Sequence, residues 1–146
     1  MSDEITKSDQ EWREQLTADQ YAVLRRGATE RANSGQYVHV TDAGHYLCAG
    51  CGAELFDSAT KYDSGSGWPS FYAPADPETI EEHRDFKMII PRTEVRCARC
   101  GGHLGHVFED GPAPTGQRYC INSAALRFAK ATPAGTGTEA AAEGEA

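Results

Sequence analysis

The chain is 146 residues long, the size of one domain, and can bury a real core without disulfides to hold it. Lysine and arginine total 14 against 22 aspartates and glutamates, a formal charge of −8 with no basic patch to offset it, so nucleic acid and anionic membrane are poor partners. No run of about 18 apolar residues occurs, and the start, Met1-Ser2-Asp3-Glu4, has neither a basic region nor an apolar stretch, so a soluble, cytoplasmic protein with reduced thiols is expected.

Residues 1–7 are polar and read as a flexible N-terminus. Ser8 precedes Glu11 by three positions and Thr17 precedes Gln20 by three, each a capping-box pattern at the head of an apolar-periodic segment. Two short helices are predicted, over 9–15 and 18–26, with Trp12, Leu16, Tyr21, Val23 and Leu24 on their buried faces. Asn33-Ser34-Gly35 breaks that period. Tyr37-Val38-His39-Val40, rich in β-branched and aromatic residues, predicts a strand, and Asp42-Ala43-Gly44 a hairpin turn leading into His45-Tyr46-Leu47-Cys48. From there to Phe128 short strand-like runs alternate with glycines and prolines, and the only further helical pattern covers Pro77 to His83. The class is mainly β with a helical N-terminal arm, an α+β domain over 8–129. Residues 131–146 have no large apolar side chain with which to offset their ordering entropy, so a disordered tail is expected over 130–146.

Cys48-Ala49-Gly50-Cys51 and Cys97-Ala98-Arg99-Cys100 are two Cys-x-x-Cys pairs, each followed directly by glycine. Each pair can turn both sulfurs toward one point, and two such knuckles make the four-thiolate cage that zinc accepts in closed structural sites. Their separation exceeds the roughly 15 to 20 residues of a compact zinc ribbon, so the metal would staple two distant hairpins. The competing reading, a redox dithiol, belongs on a strand-to-helix junction of a βαβ unit, a pattern this sequence lacks. A closed site has no open position for substrate, so this zinc should be structural.

Five cysteines less this quartet leave Cys120. A lone cysteine is often a small buried hydrophobe. Here Arg118 can favour the thiolate, while His103, His106 and Asn122 can donate hydrogen bonds nearby, so a nucleophile is the preferred reading. His103 and His106 could also be read as ligands of a second metal, but no carboxylate or third histidine stands at matching spacing. Trp68, in Trp-Pro-Ser-Phe, is either a core aromatic in a turn or a flat wall for a small substrate group that is half apolar and half polar.

Gly65-Ser66-Gly67-Trp68-Pro69-Ser70-Phe71, His103-Leu104-Gly105-His106-Val107-Phe108, Asp110-Gly111-Pro112 and Arg118-Tyr119-Cys120-Ile121-Asn122-Ser123, with the two cysteine pairs, closely resemble the methionine-R-sulfoxide reductases, the B type. The match runs from about Leu16 to Phe128. The resemblance implies two antiparallel β-sheets in a tent-like or barrel-like domain, one structural zinc at one end and the active site at the other. It also implies reduction of the R epimer of methionine sulfoxide in proteins. Carried over by position, Cys120 is the nucleophile. His106 and Asn122 line the polar side, His103 supports it, and Arg118 lies close to the thiol. Trp68 and Phe108 bind substrate, and Cys48, Cys51, Cys97 and Cys100 hold zinc. For the proton donor His106 comes first, with Glu109 and Asp110 as alternatives.

Many members of that family carry a resolving cysteine in the Gly-x-Gly-Trp-Pro segment, where this chain has Ser66. A serine cannot form that disulfide, and the other four cysteines are assigned to zinc. A sulfenic acid on Cys120 must then be reduced from outside, by thioredoxin, by a glutathione or glutaredoxin system, or by another small thiol. A monomer is expected. The rival class is a zinc-braced binding module in which Cys120 is buried and inert, and reaction with a thiol alkylator at mildly acidic pH separates the two.

Overall fold

The computed structural model describes residues 7–86 and 91–131. The start expected to be flexible, apart from Lys7, and the tail expected to be disordered, apart from Lys130 and Ala131, lie outside the described residues. Helix α1 (Asp9–Gln15) and helix α2 (Ala18–Arg26) start where the capping boxes place them. Ser8 Oγ accepts from the Glu11 amide at 3.1 Å while the Glu11 carboxylate accepts from the Ser8 amide at 2.8 Å. Thr17 and Gln20 repeat the exchange at 3.1 and 2.9 Å. Two otherwise orphaned amide donors are satisfied at each helix start. Trp12, Leu16, Val23 and Leu24 are buried and Tyr21 packs against them from a half-buried position.

Nine strands follow among the described residues: β1 (Gly44–Cys48), β2 (Glu54–Asp57), β3 (Lys61–Tyr62), β4 (Ser70–Phe71), β5 (Ile80–Asp85), β6 (Arg92–Cys97), β7 (His103–Phe108), β8 (Arg118–Ile121) and β9 (Leu126–Lys130). They form a three-stranded sheet, β2-β1-β9, and a six-stranded sheet, β3-β4-β8-β7-β6-β5, with antiparallel neighbours throughout. The mainly β architecture of two antiparallel sheets with a helical arm is the one expected. Aromatic side chains join the sheets. Phe56 of β2 stacks on Phe71 of β4 with centroids 4.5 Å apart, and Tyr46 of β1 meets Phe71 edge-on at 5.2 Å. Such pairs add to the burial of their own large apolar area.

Two expectations fail locally. Tyr37-Val38-His39-Val40 is a turn, not a strand, and β1 pairs with β2 and β9 instead of closing a hairpin on it. The segment's polar groups find partners outside any strand ladder. The Lys61 ammonium donates to the Val38 and Val40 carbonyls at 3.1 and 2.9 Å, and the buried Tyr37 hydroxyl accepts from the Phe128 amide at 3.2 Å. Pro77–Thr79 makes one 3-10 turn, capped by Asp76, after which Ile80–Asp85 is strand β5, laddered on β6. The helical pattern there loses to a full run of cross-strand hydrogen bonds.

Candidate active site and metal centre

Cys48 ends β1 and Cys97 ends β6, and the same local turn follows each. Gly52 N donates to Cys48 O at 2.9 Å and Gly101 N to Cys97 O at 2.8 Å, with φ of 81° and 76° at the two glycines. That left-handed conformation is why glycine follows each pair. The four sulfurs lie within 4.8 Å of one another, with Cys48–Cys100 at 3.7 Å and Cys51–Cys97 at 3.6 Å. Thiolates bound about 2.3 Å from a tetrahedral zinc stand about 3.8 Å apart, so the quartet fits the ion. Cys48, Cys97 and Cys100 are buried and no ligand position is left for substrate, so the ion is structural. The helical arm covers this end: Gln15 donates to Gly50 O at 2.6 Å and Arg25 to Cys100 O at 3.0 Å.

The register carries the site to the other end of the same strands. A zinc knuckle is the turn between β6 and β7, so the opposite end of this hairpin carries Arg92 and Phe108, and there β7 pairs with β8, where His106 faces Cys120 and Phe108 faces Arg118. A cleft of about 290 Å³ opens there, lined by Trp68 and Phe108 on the apolar side and by Ser66, Arg92, His106, Arg118 and Asn122 on the polar side, with Cys120 among them. Six of the seven residues expected at the active site line this one cleft.

Cys120 is half-buried, and burial pushes its thiol above the ordinary range. A contact with Ser66 Oγ, at 3.7 Å, and the charge and hydrogen bonding of Arg118 act in the opposite direction without reversing it. Arg118 thus favours the thiolate, as expected, but burial outweighs it. Its guanidinium is shared with Asp110, bonded at 2.8 and 3.2 Å, and lies over the Phe108 ring at 4.5 Å. Asp110, drawn by Arg118 below the usual carboxylate range, is a poor proton donor.

His103 is the seventh residue and lies behind the cleft. In an unbroken strand residues three apart face opposite ways. In β7 one extra residue is inserted opposite the Val95–Arg96 step, a β-bulge, and the rings of His103 and His106 come to 5.5 Å of each other. Each ring holds a carboxylate: His106 Nε2 and Asp85 Oδ2 are 2.8 Å apart, His103 Nδ1 and Glu94 Oε2 2.6 Å. Asp85 also receives Arg92 at 3.3 Å. Neither histidine belongs to a metal-ligating cluster among the described residues. Sequence reasoning missed Asp85, Arg92 and Glu94, because only the β5-β6-β7 register brings them to the histidines.

Asn122 is buried and both ends of its amide are engaged. Nδ2 donates to Leu104 O at 3.0 Å and Oδ1 accepts from the Glu30 amide at 3.0 Å. It is a strut between the segment after α2 and β7. The Trp68 indole donates to Glu30 O at 3.0 Å, and Trp68 lines the cleft. Glu30 and its neighbour Thr29, which also lines the cleft, carried no motif that could have marked them.

The SelR domain model matches residues 16–130. The peptide methionine sulfoxide reductase MsrB of Hahella chejuensis is 58% identical over 126 residues, covering 86% of this chain and 91% of that protein. The protein of the same name from Bradyrhizobium diazoefficiens is 59% identical with the same coverage, and that from Leptospira interrogans 54% identical over 130 residues, 89% of this chain and 99% of its own length.

Proposed function

The chain belongs to the SelR-domain family of methionine-R-sulfoxide reductases, and from that premise we propose how its cleft reduces the R epimer of methionine sulfoxide in proteins. The observation that carries the reading is the cysteine Cys120 set in a cleft with an indole on one side and a carboxylate-held imidazole on the other. The methyl group of the sulfoxide packs on Trp68 and Phe108, and its oxygen faces His106 and Arg118. Only one epimer meets both demands at once, because exchanging methyl and oxygen puts the polar atom on the ring.

Cys120 attacks the sulfoxide sulfur, and the S–O bond breaks as the oxygen is protonated. The thiol and the sulfoxide become a sulfenic acid on Cys120 and methionine, the oxygen and the thiol proton both remaining on the enzyme. His106 is the proton carrier. Asp85 takes up its Nε2 and so fixes the ring's orientation. Arg118, adjoining the sulfur, stabilises the negative charge that develops on it as the proton leaves. His103 and Asn122 act through position, holding β7 and the loop of Glu30 in place.

The sulfenic acid is returned to a thiol by an external thiol. Two thiol equivalents give one disulfide and water, because Ser66, 3.7 Å from the sulfur, has no thiol of its own to offer. Thioredoxin or a glutathione and glutaredoxin system supplies them. The zinc takes no part in the chemistry and supplies a brace.

The test is single turnover on separated R and S sulfoxide peptides without reductant. One equivalent of methionine from the R peptide, together with a dimedone adduct on Cys120, is the expected outcome. Cys120→Ser should abolish both while keeping zinc, and an intrachain disulfide in the wild type would overturn the assignment.

A further inference from the structure

Glu30 lies outside every motif, yet it touches two walls of the cleft and the segment beyond β8. Its carboxylate accepts from the Ser123 amide at 2.8 Å through Oε2 and from the Ala124 amide at 3.0 Å through Oε1. Those amides open the 3-10 turn Ser123–Ala125, whose N-cap residue, Asn122, makes no side-chain cap of its own. A side chain distant in sequence supplies the missing cap. The Glu30 amide spends the Asn122 amide oxygen, and the Glu30 carbonyl holds the Trp68 indole at 3.0 Å. The carboxylate has little room to move: a methyl group on Gly35 would stand 2.4 Å from its Oε2 and 2.2 Å from Ser123 Oγ. The same loop grips the Trp68 segment again through Asn33 N and Gly67 O at 2.7 Å.

We infer that Glu30 is the positioning residue of this cleft: by anchoring its own backbone on Ser123 and Ala124, it fixes the Trp68 ring relative to Cys120 and so sets the fit of the substrate's methyl group. Cys120 and Ser123 are three residues apart on one continuous segment, so the ring is referenced to the strand that carries the sulfur. A charge-assisted acceptor bonded to two amides is stiffer than either bond alone. The carbonyl that holds the indole inherits that stiffness. The inference deepens the functional reading above and rests on it.

In Glu30→Gln one carboxylate oxygen becomes an NH2 group facing a backbone N–H, so one of the two anchoring bonds is lost. The KM for an R-sulfoxide peptide should rise about tenfold, the weight of one charge-assisted hydrogen bond, with kcat changing less than threefold and zinc content unchanged. Trp68 emission, read in a Trp12→Phe background, should shift to the red. Trp68→Phe, which keeps a ring but loses the indole donor, should show an effect on KM that is not additive with that of Glu30→Gln. An unchanged KM and unchanged emission, or strictly additive KM effects with a fall only in melting temperature, would overturn the inference. Failure of the functional reading is seen separately, as a wild-type chain that turns over neither epimer. The emission shift and the zinc content then still decide whether Glu30 anchors the ring.

Discussion

Cys120 shows how far a residue type and its neighbours in sequence can be trusted. The leftover cysteine and the Arg-x-Cys-x-Asn run mark the position proposed to react, but not its protonation. Burial raises the thiol, and Arg118, which sequence proximity offers as the counter-charge, is divided between Asp110 and the Phe108 ring. The resting enzyme therefore holds a neutral thiol at neutral pH. Alkylation of Cys120 by iodoacetamide should be slow at pH 7 and should rise tenfold per pH unit, with a midpoint above that of an ordinary exposed thiol. A plateau below pH 7 would show that the charge of Arg118 wins after all. Mildly acidic alkylation, attractive from sequence as a test for a nucleophile, is thus the wrong window for this site.

At the scale of elements, both capping boxes were legible because a capping box is local: two side chains and two amides within four residues specify it. The β7 bulge was not. Its sequence, His-Leu-Gly-His-Val-Phe, reads as a strand that would send the two histidines to opposite faces, and only pairing with β6 shows the extra residue. The glycine in that strand has a definite duty. A methyl group on Gly105 would stand 2.1 Å from the carbonyl oxygen of Cys120 and 3.0 Å from Ile121 Cα. Gly105→Ala must push β8 away from β7, which costs about 1–3 kcal/mol in an already packed site. It should lower the melting temperature by several degrees and cut kcat/KM more than tenfold by moving Cys120 itself. Thermal melts and steady-state kinetics on the one variant check both, and unaltered values of either would mean that the two strands are not held this closely.

Across the whole molecule, the zinc knuckles belong to different sheets. Cys48 and Cys51 close the β1-β2 hairpin of the three-stranded sheet, while Cys97 and Cys100 close the β6-β7 hairpin of the six-stranded one. The ion is a clasp between sheets that otherwise meet through aromatic packing such as Phe56 on Phe71. Cys48→Ser, or exhaustive chelation, should remove the metal and lower the melting temperature by about 10 °C or more, equivalent to about 3 kcal/mol in a domain of this size. Cys120→Ser should leave both metal content and melting temperature close to wild type. Plasma emission spectrometry beside thermal melts separates the two roles, and equal losses in the two variants would contradict them. Among the described residues no helix is long and apolar enough to cross a membrane.

What the sequence by itself determined is whatever lives in short windows: two capped helices, two metal-binding knuckles, the tight turns their glycines permit and the one cysteine left outside the quartet. These depend on residue type at fixed local spacing, and local spacing survives without a fold. Only the tertiary structure decided which carboxylate each histidine holds, that Tyr37–Val40 surrenders its carbonyls to Lys61 instead of a neighbouring strand, and that Glu30 ties Trp68 and Asn122 together. Each of these is a hydrogen bond between residues remote in sequence. Its existence depends on strand register and on the angle at which two sheets meet, and neither is written in any window shorter than the domain.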